Sequence, residues 1–154
     1  HGEIFAGGQN LGTPSTPGAV YRSTDDGETW IGIYSNVPNF NSVHALAADN
    51  ALHIFAGTLY GGVYRTTDGG GNWHQSNFGL AASLTYSLAL TPNGNLFSGS
   101  WAGVLYRSTD GGTTWRETNI GSNSLVYRFA SSTNLEDSKN VLEQLIWGTI
   151  NKPA

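Results

Sequence analysis

Ser23-Thr24-Asp25-Asp26-Gly27-Glu28-Thr29-Trp30 decides the fold, because the chain spells this stretch three times. It returns as Thr66-Thr67-Asp68-Gly69-Gly70-Gly71-Asn72-Trp73 and as Ser108-Thr109-Asp110-Gly111-Gly112-Thr113-Thr114-Trp115. The tryptophans are 43 and 42 residues apart, a period that signals a repeat architecture. Tyr21, Tyr64 and Tyr106 precede the copies in apolar-alternating runs and the tryptophans follow, so each copy joins two strands as a hairpin. Asp25, Asp68 and Asp110 at the turn entry can accept from backbone N–H groups ahead of them. Gly27, Gly70 and Gly112 can supply the positive φ of a tight turn. Ser23, Thr66 and Ser108 add a second side-chain oxygen for backbone donors. Trp30, Trp73 and Trp115 each offer roughly 150–250 Å² to bury, and equivalent burial of all three is expected.

The pattern S/T-x-D-x-G-x-T/N-W resembles the Asp-box, or BNR repeat, and the resemblance covers roughly residues 3–131. That family is built as β-propellers. It includes sialidases, xyloglucanase-like glycosidases, sortilin-type receptor domains, a photosystem II assembly factor and many secreted bacterial proteins. Its box lies on the rim, away from any active site, so the resemblance implies fold rather than activity. It also implies an extracellular or periplasmic location.

Of 154 residues only 12% are charged and 21 are Gly, which suits short strands and tight turns. A net charge of −4 argues against nucleic acid as a partner. With no Cys, disulfides are excluded. No apolar run is long enough to span a membrane. The chain starts at His1 without Met or a visible signal peptide, which reads as a mature form, a trimmed chain or an interior fragment.

Ile4–Gly7 aligns with 54–57 and 96–99 as the second strand of a blade, and Val20, Val63 and Leu105 open the third. The fourth starts near each Trp. The first copy carries a Pro- and Gly-rich insertion over 9–17, read as a surface loop. Innermost strands are expected at 43–47, 85–89 and 126–130. The fold expected is therefore all-β, a partial β-propeller of about three four-stranded blades over residues 1–131. The first blade lacks its innermost strand, and 125–131 supplies a spare one. Propellers typically close with 4–8 blades, so a closed three-blade ring is not expected. Either 125–131 pairs with 2–8 of a second copy, or the chain stays an open arc; the open arc is favoured.

Residues 132–154 leave the repeat. Leu135, Val141, Leu142, Leu145 and Ile146 fall on one helical stripe, with Thr133 and Glu136 as a capping box. A C-terminal α-helix over 134–147 is expected, docked on a blade through Leu142, Leu145 and Ile146.

The chemistry is sparse. Hydrolysis of a glycosidic bond needs two carboxyls facing one sugar bond, and no pair among Glu3, Asp49, Glu117 and the box acids has that placement by spacing. No catalytic residue is assigned. Sialidases clamp a carboxylate with three arginines, but Arg22, Arg65 and Arg107 recur at one repeat position and read as structural, over an aromatic ring or along the rim. Arg128 replaces Ala45 and Ser87 on an inner strand; it lines the central channel and binds an anion there, or it marks the place where the repeat breaks down. His1, His44, His53 and His74 lack ligand spacing, so neither metal nor cofactor is expected. Tyr60 and Trp101 on the loops between second and third strands, with Phe40 and Phe78 on incoming loops, are placed on the face opposite the boxes. There they bind a sugar or a peptide, or fill gaps between blades.

The reading is a non-catalytic propeller module of a secreted protein, a scaffold or a carbohydrate- or protein-binding surface. Self-association through open blade edges is open to it; nucleic acid and membrane are not expected partners. The alternative is a fragment of a sialidase- or xyloglucanase-like glycoside hydrolase with catalytic residues outside this chain.

Overall fold

Short runs that alternate apolar with polar or small residues, broken by Asp- and Gly-rich turns, can satisfy their backbone groups only by pairing with one another. A computed structural model describes residues 3–9, 20–33, 42–49, 52–81, 83–118, 126 and 129. In it these runs form three antiparallel sheets. The first holds β1 (Ile4–Gly7), β2 (Val20–Ser23) and β3 (Ile31–Gly32). The second holds β4 (Val43–Ala48), β5 (Ile54–Thr58), β6 (Gly62–Thr66) and β7 (His74–Gln75). The third holds β8 (Thr85–Leu90), β9 (Leu96–Ser100), β10 (Leu105–Ser108) and β11 (Arg116–Thr118). Each is a meander in chain order, and among the described residues the first has no innermost strand.

Among the described residues there is no helix. The helix expected over 134–147, the boundary at 131, Arg128, Phe40 and most of the 9–17 insertion lie outside them. Among the described residues β1 pairs only with β2.

The sheets stack face to face through two apolar layers. Between the first and second, Val20, Phe5 and Ile33 meet Ile54, Ala56, Tyr64, Trp73 and Leu46. Between the second and third, Phe55, Val63, Ala45 and Ala47 meet Leu88, Leu96, Tyr106 and Trp115. The same repeat positions thus recur on the same faces. The second and third sheets each turn their Trp and their third-strand Tyr toward the sheet before them.

That rule corrects the expectation of three equally buried tryptophans. Trp73 and Trp115 are 4% and 3% exposed, but Trp30 is 42% exposed. Trp73 Nε1 donates to the Ile33 carbonyl (2.8 Å) and Trp115 Nε1 to that of Ser76 (2.7 Å), in each case on the preceding sheet. Among the described residues no such sheet stands beside Trp30, and its Nε1 donates to the Gly27 carbonyl of its own turn (3.0 Å).

Near the axis the sheets approach so closely that the second strand carries a Gly. A Cβ on Gly7 would lie 2.6 Å from Val43 Cγ1, one on Gly57 would run into Thr85, and one on Gly99 would lie 2.6 Å from the Val126 carbonyl oxygen. Val126 therefore stands against the third sheet as Val43 and Thr85 stand against the first and second. Ser87 Oγ donates to its carbonyl (2.6 Å). Phe129 extends the contact, its ring 6.3 Å from that of Phe97.

Candidate functional site

The three boxes share one geometry. In the second, Thr66 Oγ1 donates to Asp68 Oδ1 (2.7 Å) and accepts from Gly70 N (3.1 Å). Asp68 also accepts from Asn72 N (2.9 Å) and Asn72 Nδ2 (2.8 Å). Ser23 with Asp25 and Ser108 with Asp110 repeat the first bond at 2.7 Å, and Gly27 N and Gly112 N donate to those serines at 2.9 Å. Donors converging on a carboxylate favour its charged form. The Thr29 hydroxyl, followed by Thr29 N and Ser23, lowers Asp25 to about 2, and the Thr114 hydroxyl does most to lower Asp110 to about 2. Thr66 and Asn72 hold Asp68 well below the usual carboxylate range. These acids are locked anions that close a turn, and no substrate-facing proton is left on them at neutral pH.

At the other end of the sheets, opposite the boxes, the register slips between Val43 and Ala45 and between Thr85 and Ser87. Each slip is a β-bulge, which re-aims the extra side chain. The residues so placed are His44 and Tyr86. Their rings meet edge to face with centroids 4.9 Å apart, and Tyr86 meets Trp101 at 5.3 Å. His44, Tyr86 and Trp101 thus form one aromatic row across the second and third sheets. Trp101 is 51% exposed, and Tyr60, in the β5–β6 turn on the same face, is 69% exposed.

Of the other candidates among the described residues, Tyr60 shares this face and Phe78 does not. Tyr60 and Trp101 are not at matching repeat places: Leu59 N donates to the Ser42 carbonyl as Trp101 N donates to that of Leu84. Tyr60 is therefore one residue further along its turn. Phe78 sits beside the third box, where its carbonyl accepts from Trp115 N (2.8 Å). There it lines a groove of about 320 Å³ with Arg65, His74, Gly112 and Thr113. The row's inner members, His44 and Tyr86, went unnoticed in the sequence. The signal was there: an aromatic ring at one repeat position, just inside each innermost strand.

The repeated arginines are structural. Arg65 and Arg107 place their guanidinium carbons 5.9 Å from the ring centroids of Phe55 and Phe97, their cross-strand partners. Arg22 pairs with Glu3. His53 Nδ1 lies 2.8 Å from Asp49 Oδ2 within one hairpin. Among the described residues no group of three His, Asp or Glu side chains could hold a metal ion.

Residues 106–117, from β10 through the third box into β11, match the BNR/Asp-box repeat model. The third copy of the stretch is thus an Asp-box repeat, and the sheets that carry the three copies are of the β-propeller type. No curated relative matches the sequence. Among solved structures it is similar to the GH74 enzyme of Niastella koreensis, with TM-score 0.68 and 20% identity over 88% of this chain and 23% of that one. It is similar to the extracellular domain of the putative one component system BT4673 from B. thetaiotaomicron, with TM-score 0.59 and 21% identity over 85% and 18%. It is also similar to YCF48 bound to D1 peptide, with TM-score 0.50 and 23% identity over 73% and 38%. The chain spans between 18% and 38% of these structures, and at such identities the likeness establishes the fold alone.

Proposed function

We propose that the chain is a non-catalytic Asp-box propeller module whose loop face, opposite the boxes, binds a sugar chain or a peptide. The row of His44, Tyr86 and Trp101 carries this reading: half-exposed rings held in line by two β-bulges offer flat apolar faces at low entropic cost. The likeness to YCF48 bound to D1 peptide supports a peptide ligand. The carboxylates support the absence of catalysis, since Asp25, Asp68 and Asp110 close turns, Glu3 pairs with Arg22 and Asp49 with His53. An extracellular or periplasmic location is in keeping with the BT4673 domain. The test is a screen of the purified chain against glycan and peptide arrays, followed by calorimetry on the hits. Trp101→Ala should weaken binding by about 2 kcal/mol, the scale of an aromatic anchor, while Ile31→Ala on the outer strand should not. Binding indifferent to Trp101, or none on either array, would overturn the proposal.

The second reading, a piece of a sialidase- or xyloglucanase-like glycoside hydrolase, draws on the likeness to the N. koreensis enzyme. It places the catalytic acids on blades outside this chain. Turnover of xyloglucan or a sialoside by the purified chain, abolished by replacing one carboxylate, would contradict both readings.

A further inference from the structure

Arg22 and Arg65 stand at one repeat position, each just before a box. The Nε of each is buried and makes no hydrogen bond, so what these arginines bind they bind with their terminal nitrogens. Arg22 Nη2 is taken by the Glu3 carboxylate. The residue at the place of Glu3 in the second copy is His53, which precedes Ile54 as Glu3 precedes Ile4, and it bonds Asp49. Among the described residues no carboxylate forms an ion pair with Arg65. Its structural contact with Phe55 uses the flat face of the guanidinium and leaves the terminal N–H groups able to donate. The acids of the two boxes beside it are engaged within their own turns. Asp68 accepts from Thr66 and Asn72, and Asp110 from Ser108 and Thr114.

The second copy differs from the first at a further place. Opposite Arg22 across the strands is Ile31, whereas opposite Arg65 is His74. Directly opposed residues of an antiparallel pair share one face, and His carries at least one N–H donor in either protonation state. Relative to the first copy, then, an acid is gone and a donor is added on the same face as the arginine. Both side chains line the groove of about 320 Å³ between the second and third sheets, with Thr67, Phe78, Gly112 and Thr113, and no acid lines it. Both walls of the groove are described residues. Arg65 reaches the far wall, since a Cβ on Gly111 would lie 3.7 Å from its Nη1. Phe78, 78% exposed, supplies an apolar wall. Its backbone is pinned to the third sheet: its carbonyl accepts from Trp115 N (2.8 Å), and a Cβ on Gly79 would run into the Trp115 carbonyl oxygen.

We propose that this groove binds an acidic side chain of a partner protein. The carboxylate of a Glu or Asp accepts from the terminal nitrogens of Arg65 and from His74, and the methylenes above it lie against Phe78. The first copy shows the chemistry, because there a glutamate of this chain already holds the equivalent arginine. A planar carboxylate also matches the fork of a guanidinium. With a net charge of −4 on the chain, the site suits a single carboxylate and not a run of them. It lies beside the third box, away from the aromatic row, and does not depend on the reading of the loop face.

Amide spectra of the isotope-labelled chain by nuclear magnetic resonance, with the arginine Nε–H signals included, test this. The probe is a blocked tripeptide with Glu between two glycines, added to millimolar concentration, the range in which one small contact saturates. Saturable shifts are expected at the Arg65 Nε–H and at the Gly112, Thr113 and Phe78 amides, and none with Gln in place of Glu. Arg65→Gln should abolish them. Phe78→Ala and His74→Ile should each weaken binding roughly fivefold. Because Phe78 is exposed, its variant keeps the test decisive should Arg65→Gln fail to fold. No saturable shift, or equal shifts with the Gln peptide, would overturn the proposal. So would glucuronate or inorganic phosphate binding as tightly as the Glu peptide, which would make the site one for a sugar acid or for anions at large. Shifts confined to His44, Tyr86 and Trp101 would overturn it too, and would leave the loop-face reading standing.

Discussion

At the scale of single residues, the box is a turn whose anion is its keystone. Asp25 and Asp110 have folded pKa values of about 2 against an ordinary 3.8. A depressed folded value means the contribution is complete above the unfolded pKa, near 4, and is lost as pH falls through about 2. The melting temperature should therefore hold from neutrality to about pH 4 and drop between about 4 and 2. Asp68→Asn should melt lower at neutral pH and show a shallower acid drop, and an unchanged slope would count against this account. Two glycines make a second comparison. Gly70 has φ +98° and its Cβ would lie 2.6 Å from Ile33 Cδ1, whereas Gly94 has φ +81° and nothing within 4 Å. Gly94→Ala should cost only the left-handed backbone penalty, about 1–2 kcal/mol. Gly70→Ala should add overpacking of about 1–3 kcal/mol to it. Urea denaturation of the pair measures the difference, and equal costs would refute the close contact.

At the scale of elements, the strands and turns were legible because the repeat prints them three times, and because Asp, Gly and Trp each have one job in the box. What was not legible was which neighbour a side chain meets. Trp30, Trp73 and Trp115 look alike in sequence, yet burial belongs to the sheet packed in front of each. Similarly, His44 and Tyr86 reach the loop face only through a bulge, a backbone slip that side-chain alternation does not announce. The consequence is measurable. Trp73→Ala and Trp115→Ala should each cost about 3–5 kcal/mol, as large buried aromatics do. Trp30→Ala, at a half-exposed site, should cost a small fraction of that. Urea melts of the three variants decide it, and equal losses at all three sites would show that the Trp acts within its own turn and not on the preceding sheet.

At the scale of the molecule, stability is that of a stack in which each sheet contacts only its neighbours, so it approximates a sum of sheet and interface terms. The second sheet is packed on both faces, and all five residues of β5 are buried. The third is covered in front by the second and behind, near the axis, by Val126 and Phe129. Among the described residues the first is covered on one face only, and none of the four residues of β1 is fully buried. Local opening follows such differences in packing. Native-state hydrogen exchange in the dilute chain should find the Ile54–Thr58 amides slowest, the Leu96–Ser100 amides intermediate and the Ile4–Gly7 amides fastest. Uniform protection across the three sheets would mean that the stack opens as one cooperative unit.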